Sequence, residues 1–303
     1  MSVNRIAWTP GVLIALVLGL GAPGAQAQPR ATTPLFTKLA DDLWEIPGVD
    51  DAANVTVLVT SEGLVLVDGR YVAQNAELMG IIREHISDKP IRYVINTHAH
   101  ADHTGANGIW LKAGATVISS VGTRDNIVGR SRPDAPADLL PPNLVFSGTM
   151  RMFVGGQEIV LTSYGPAHTR EDVTVLFPKA RVICTGDLGY APDPGEIGGP
   201  WPNIDFLSGG NLEGWIATLD TITARDGYDV VVPGHVGLTS KAELIIYRNR
   251  LELIRDDIKD YLKGGGRSEA ELQAHLVQRF NWPVRGNAGR AVHGLYLEFN
   301  PKG

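Results

Sequence analysis

Six residues, His98-Ala-His-Ala-Asp-His103, constrain this 303-residue chain more than any other feature. Three imidazoles and a carboxylate share one short stretch, and every other residue in it is alanine. The preceding run Ile91-Arg-Tyr-Val-Ile95 reads as a strand that delivers the chain directly to His98. An extended segment points His98 and His100 to the same side, because side chains alternate with period two. Asp102 and His103 then turn toward a second, neighbouring point. Imidazole and carboxylate together suit Zn²⁺, and Fe or Mn less specifically. A chance cluster of solvated histidines is the alternative, and three His and an Asp at one strand end argue against it.

Strands and helices interleave on both sides of this segment, which makes the class α/β. Val55–Thr60 and Gly63–Val67 are β-rich runs separated by Ser61-Glu62, a hairpin pattern. Val72, Ala76, Met79, Ile82 and Ile86 recur at helical spacing. Further on, Glu158–Tyr164, Asp172–Phe177, Arg181–Cys184 and Asp229–Val232 read as strands. Leu212, Trp215, Ile216, Leu219 and Ile222 form a helical stripe, and Leu244 to Tyr261 marks a long amphipathic helix. Gly264-Gly-Gly266 ends that helix, and Ser268–Phe280 reads as one more, opened by a Ser cap with Glu271 three residues on. No internal repeat or low-complexity tract interrupts the pattern, and Pro133–Pro142 reads as a connection.

The N-terminus is set apart. Arg5, the apolar run Gly11–Leu20 and Ala25-Gln-Ala27 have the layout of a secretory signal peptide. The apolar run is shorter than the ~20 residues that span a bilayer. Cleavage there would leave 276 of the 303 residues, starting at Gln28, as a single domain in the periplasm or outside the cell. It would also remove Arg5 and no acid, taking the net charge from −6 to −7. An acidic chain without a Lys/Arg run has no long-range attraction for nucleic acid, which disfavours a nuclease. With 44% hydrophobic residues the chain can build a large core, and its one cysteine, Cys184, excludes an internal disulfide. The expected partner is a small-molecule substrate, with no nucleic acid and no membrane after cleavage.

The His-x-His-x-Asp-His segment resembles the most specific motif of the metallo-β-lactamase superfamily. Three further motifs follow in order: His168 in Gly165-Pro-Ala-His-Thr169, Asp187 in Thr185-Gly-Asp-Leu188, and His235 in Pro233-Gly-His235. The resemblance spans roughly residues 40 to 240. It implies a four-layer αββα sandwich with a dinuclear zinc site at one edge, where the two sheets meet. By the same resemblance His98, His100 and His168 hold the first metal. Asp102, His103 and His235 hold the second, and Asp187 bridges them. Neutral imidazoles leave such metals Lewis-acidic, so a shared water loses its proton near neutral pH, against ~15.7 in bulk. The expected activity is hydrolysis of an ester, lactone or lactam by metal-bound hydroxide, with Asp102 also orienting the hydroxide. Alternatives are a β-lactamase proper, a glyoxalase-type thiolesterase, a mononuclear-iron sulfur oxygenase, and a non-catalytic metal-binding protein.

Other residues carry two readings each. Asp68 is either a turn residue or an acceptor that fixes a ligand histidine. Cys184, in an apolar strand, is read as a buried thiol. Tyr190 follows Asp187 by three residues, where zinc β-lactamases with a Cys ligand at the Asp187 position have a Lys. Asp-x-x-Tyr instead resembles quorum-signal lactonases, in which the phenol helps polarise the acyl carbonyl; packing is the other reading. Asn211 resembles the asparagine loop of zinc β-lactamases, and equally an ordinary helix cap. Trp110 and Trp215 read as core. Trp201 lies in the Pro/Gly-rich loop Ala191–Gly210, where substrate selection is expected.

Overall fold

In the first half of the chain, β-rich runs pair in chain order. Seven strands, β1 (Thr37–Ala40), β2 (Leu43–Ile46), β3 (Val55–Val59), β4 (Leu64–Val67), β5 (Ile91–Ile95), β6 (Thr116–Ser120) and β7 (Leu144–Phe146), lie side by side in one sheet. The first four are antiparallel, and β4 to β7 run parallel. Parallel neighbours need crossovers, which are supplied by helices. These are α1 (Asn75–Ile81, continued by a π turn to Ile86), α2 (Ala101–Thr104), α3 (Asn107–Lys112) and α4 (Val121–Arg130). This computed structural model describes residues 35–49, 51–130, 140–190 and 201–300. The leader expected at residues 1–27, most of the Pro133–Pro142 connection and residues 191–200 lie outside the described residues.

A second sheet of six strands follows: β8 (Thr149–Val154), β9 (Gln157–Ser163), β10 (Val173–Phe177), β11 (Val182–Gly186), β12 (Val230–Pro233) and β13 (Thr239–Ser240). Here only β11 and β12 pair in parallel. Helices α5 (Leu212–Ala224), α6 (Lys241–Leu262), α7 (Glu269–Phe280) and α8 (Gly286–Phe299) complete the chain. Ser240 and Ser268 open α6 and α7 with full capping boxes to Glu243 and Glu271. The last helix, α8, has no counterpart in the sequence reading. Gly286, Gly289 and Gly294 lower its intrinsic propensity by roughly 1 kcal/mol each relative to alanine. Packing of Val292 and Leu295 into the core holds it instead.

Alternation along the strands creates the layers. Val65, Val67 and Ile95 face Val173, Val175, Val182 and Cys184 in a core between the sheets. The intervening Leu64, Leu66 and Val94 pack outward against Leu78, Ile82 and Trp110. On the other side Leu176, Ile183 and Val231 pack against Trp215 and Leu219 of α5 and Leu251 of α6. Both faces of both sheets are therefore covered, giving an αββα sandwich. Each such fully buried Leu, Ile or Val contributes roughly 1.5–3 kcal/mol.

The parallel pairs determine where the site is built. β4 and β5 end on the same edge of their sheet, as β11 and β12 do in theirs. The loops leaving those four ends carry Asp68, His98 to His103, Asp187 and His235.

Candidate metal centre

His98, at the end of the β5 loop, is fully buried. It shares a side with His100, their ring centroids 4.6 Å apart. The chain then enters the single helical turn α2, which carries Asp102 and His103; the His103 ring stays beside His98, with centroids 4.1 Å apart. His168 joins the first pair from the loop after β9. That loop is fixed by the buried carboxylate of Asp172, which accepts the backbone N–H and the hydroxyl of Thr169 at 2.9 and 2.7 Å. His235 completes the second group after β12. Its loop is tied down by Asn54, whose amide donates to the carbonyls of Pro233 and Val236 at 2.9 and 2.8 Å.

The seven side chains fall into two neighbouring groups, His98, His100, His168 and Asp187 in one and Asp102, His103 and His235 in the other. Asp187 faces both. Its Oδ2 lies 3.4 Å from His168 Nε2 and 3.8 Å from His98 Nε2. Its Oδ1 lies 3.2 Å from His103 Nε2 and 3.6 Å from His235 Nε2. This spacing depends on Gly234, since a Cβ there would sit 2.1 Å from Asp187 Oδ1. Any other residue between Pro233 and His235 would displace the carboxylate.

Four of the five imidazoles are oriented by a partner behind them. Asp68, at φ 63° on the turn after β4, holds His103 Nδ1 at 2.8 Å through Oδ2. The same carboxylate accepts the Thr97 backbone N–H and hydroxyl, both at 2.9 Å. The buried turn residue and the histidine-fixing acceptor are thus one residue. Thr97 Oγ1 is 3.1 Å from His98 Nδ1, and the Asn203 carbonyl accepts from His168 Nδ1. Asp205 Oδ2 is 2.9 Å from His100 Nε2, which turns His100 Nδ1 toward His168 Nε2 at 3.2 Å. Asp205 and Asn203 were not singled out by the sequence. Both lie in the loop expected to select substrate, and Asp-x-x-Ser208 is a capping spacing that could have marked Asp205.

Electrostatically the site is arranged around positive charge. Burial pushes His103 down, but Asp68, Asp187 and Asp102 outweigh it and raise the imidazole well above its ordinary range. Burial and the neighbouring imidazoles His103 and His100 hold His98 well below that range. His168 is also lowered by burial, against the pull of Asp187. Burial opposes ionisation of Asp102 and Asp187, yet His103 and His235 keep both carboxyls far below the usual carboxylate range. His98 and His168 held neutral beside the ionised Asp102 and Asp187 are the donor forms a metal requires, and a cation taking the place of the His103 proton would answer the same carboxylates.

Three buried atoms, His98 Nε2, His103 Nε2 and Asp187 Oδ1, have no hydrogen-bond partner. A buried polar atom left unsatisfied costs about 1–3 kcal/mol. All three point between the two groups, where a divalent cation would satisfy them. The floor is sealed, with His98, His103 and His168 at 0–1% side-chain exposure. His235, His100 and Asp102 keep 33%, 21% and 14% and form the open face.

Other candidates fall outside this cluster. Tyr190 is half-buried, its ring 6.1 Å from that of Tyr247 in the core behind the second sheet. Asn211 caps α5, its Oδ1 accepting from Gly214 N at 2.7 Å, so the helix-cap reading applies. Trp110 and Trp215 are core residues, and Trp215 also stacks edge-on to His168 at 5.5 Å. Trp201 packs against the helices, its indole 3.4 Å from the Phe280 carbonyl. Cys184 is buried between the sheets, donates to Thr56 Oγ1, and is pushed up to about 12 by burial.

Residues 48–235 match the metallo-β-lactamase superfamily model. The chain belongs to the metallo-β-lactamase superfamily and is a metal-dependent hydrolase of that fold. It is 27% identical over 231 residues to a metallo-β-lactamase type 2 of Elizabethkingia meningoseptica, covering 73% of this chain and 86% of that protein. It is 26% identical over 225 residues to the 2,4-dinitroanisole O-demethylase subunit alpha of Nocardioides sp. (strain JS1661), covering 73% and 62%. A solved metallo-β-lactamase from Pontibacter korlensis superimposes with a TM-score of 0.61 at 21% identity, covering 72% of this chain and 98% of that one.

Proposed function

We propose that the chain opens an ester, lactone or lactam bond using two Zn²⁺ ions. His98, His100 and His168 would hold one, Asp102, His103 and His235 the other, with Asp187 shared. The observation that carries this reading is the division of the Asp187 oxygens between the two groups. Zinc there would polarise the acyl carbonyl and lower the pKa of a water to near neutrality. The chain supplies the rest. His98, His103 and His168 exclude water from the floor, so the substrate approaches over His100, Asp102 and His235. Asp102 Oδ2, 3.0 Å from His235 Nε2, lies at that open face and would accept a hydrogen bond that orients the attacking water. Asp68, Asn203 and Asp205 keep the imidazoles aimed.

Hydrolysis of β-lactams is the second reading, favoured by the names of the relatives. Asn211 committed to a helix cap, and Tyr190 in place of Lys, both weigh against it. The O-demethylase relative shows that this kind of scaffold is not confined to lactams. We also read residues 1–27 as an export leader and the substrate as a small molecule. Among the described residues no helix is long and apolar enough to cross a membrane.

The test is elemental analysis of the purified chain together with turnover of a lactone, an aryl ester and a chromogenic β-lactam. The expected result is two zinc equivalents and acyl turnover that a chelator abolishes and zinc restores. One reproducible equivalent of iron, or no turnover of any acyl substrate, would overturn the proposal.

A further inference from the structure

Beside the metal centre lies a cleft of about 600 Å³, within the size range that buries a small-molecule ligand. Its inner end is His100. One wall is the loop Ile204–Leu207, which begins immediately after the Asn203 carbonyl that holds His168. The opposite wall is α8, through Ala291 and Gly294. The Phe206 ring lies directly against α8, because Gly294 has no Cβ there; one would stand 2.0 Å from a ring carbon. Leu207 projects beside it with its side chain fully exposed, at 101%. Leu297 of α8 borders the adjoining hollow and is 54% exposed. Charged groups border the apolar strip of Ile204, Phe206, Leu207 and Ala291: Asp205 beside His100, Arg290 on α8, and the His293–Glu269 pair at 2.8 Å. Both α7 and α8 lie beyond the residues matched by the family model.

We infer that this cleft binds an apolar alkyl or aryl arm attached to the scissile acyl group, with Phe206 and Leu207 as specificity-determining residues. The inference rests on the acyl-hydrolase reading for its substrate. Its physical basis is that an exposed leucine and a half-buried ring gain only when apolar surface covers them. Continuity with His100 means that an arm lying there leaves its acyl end at the open face of the metal centre. A polar or very short acyl substrate would leave this surface in water.

The experiment follows kcat/KM of the zinc-loaded full chain along 4-nitrophenyl esters from acetate to octanoate, for wild type and Leu207→Asp. Leu207 packs against nothing, so the substitution leaves the fold alone, and zinc content should be the same in both. In wild type kcat/KM should rise by about two- to fourfold per added methylene over the first several carbons. Leu207→Asp should flatten the rise. Calorimetric binding of 1-butanol, 1-hexanol and 1-octanol supplies a readout free of turnover, with the same chain-length trend expected in wild type and lost in the variant. Esters hydrolysed with no dependence on length, or with equal dependence in both proteins, would overturn the cleft assignment. No ester turnover, with the alcohol trend present and sensitive to Leu207, would overturn the acyl reading and leave the apolar site standing. Absence of the alcohol trend in wild type would remove the site itself.

Discussion

The two halves of the metal centre are built on different principles. His98, His100 and His168 form an all-imidazole group, and two of its three imidazoles are aimed by the Asn203–Asp205 segment. Asp102, His103 and His235 form a mixed group of one carboxylate and two imidazoles, with Asp68 behind it, rigidly seated on Thr97. The backing of the second group is almost solvent-free, Asp68 being 3% exposed in its side chain, whereas Asp205 is 18% exposed. A buried charged partner cannot be replaced by water, and a half-exposed one can. One half should therefore be intolerant of change behind its ligands, and the other adjustable together with the loop that walls the cleft.

The largest effect is expected where the halves meet. Asp187→Ala removes one oxygen from each group, so affinity should fall for both metals by more than the ~10–100-fold typical of partners behind a ligand. Titration against a chromophoric chelator resolves the two steps. Loss confined to one step would show that Asp187 does not couple the halves. Next in size is the contrast between Asp68→Asn and Asp205→Asn, two isosteric changes that each neutralise one partner. Asp68→Asn should weaken the second-group metal by up to about 100-fold and the first-group metal by less, through Thr97 and His98. Asp205→Asn should weaken the first-group metal by only about tenfold, because water can reach His100 Nε2. Equal losses in the two variants would erase the distinction drawn between the halves.

The two halves also differ in how far the sequence disclosed them. The dense His98–His103 segment supplies two ligands to each group, and the backing of His103 comes from a strongly patterned β run that ends at Asp68. Period-two alternation placed His98 and His100 together, and the helical turn α2 assigned Asp102 and His103 to the neighbouring group, with the His103 ring 4.1 Å from that of His98. Asp205 carries no such pattern. It acts across 105 positions of sequence on His100, and nothing local distinguishes it from a capping aspartate. Helix α8 was hidden for a related reason. Its glycines argue against a helix, and one of them, Gly294, serves the packing of Phe206 instead. The layering came from the family resemblance: Leu64–Val67 and Val173–Phe177 are buried along their whole length, which marks strands covered on both faces without showing what covers them. The cleft was not legible, because its walls meet only after folding.

Tyr190→Phe separates catalysis from metal holding and should have the smallest effect of the series. Tyr190 stands three residues beyond Asp187, and its ring already has a packing role beside Tyr247. Phenylalanine keeps that ring, so stability should fall by no more than the ~0.5–1.5 kcal/mol of one hydrogen bond. Neither metal-binding step should change, in contrast to every substitution above. If the phenol donates to the carbonyl oxygen as negative charge develops, it acts in the transition state and its loss appears in kcat. Removing an oxyanion donor typically costs ~10²–10³ in kcat, and a zinc ion sharing the role reduces this to about tenfold. Steady-state kinetics on the best acyl substrate measures it directly. A fall in kcat with unchanged KM and metal content supports the catalytic role and, with it, the preference for lactones or esters over β-lactams. Wild-type kinetics would confine Tyr190 to packing, and the open face would then consist of His100, Asp102 and His235 alone.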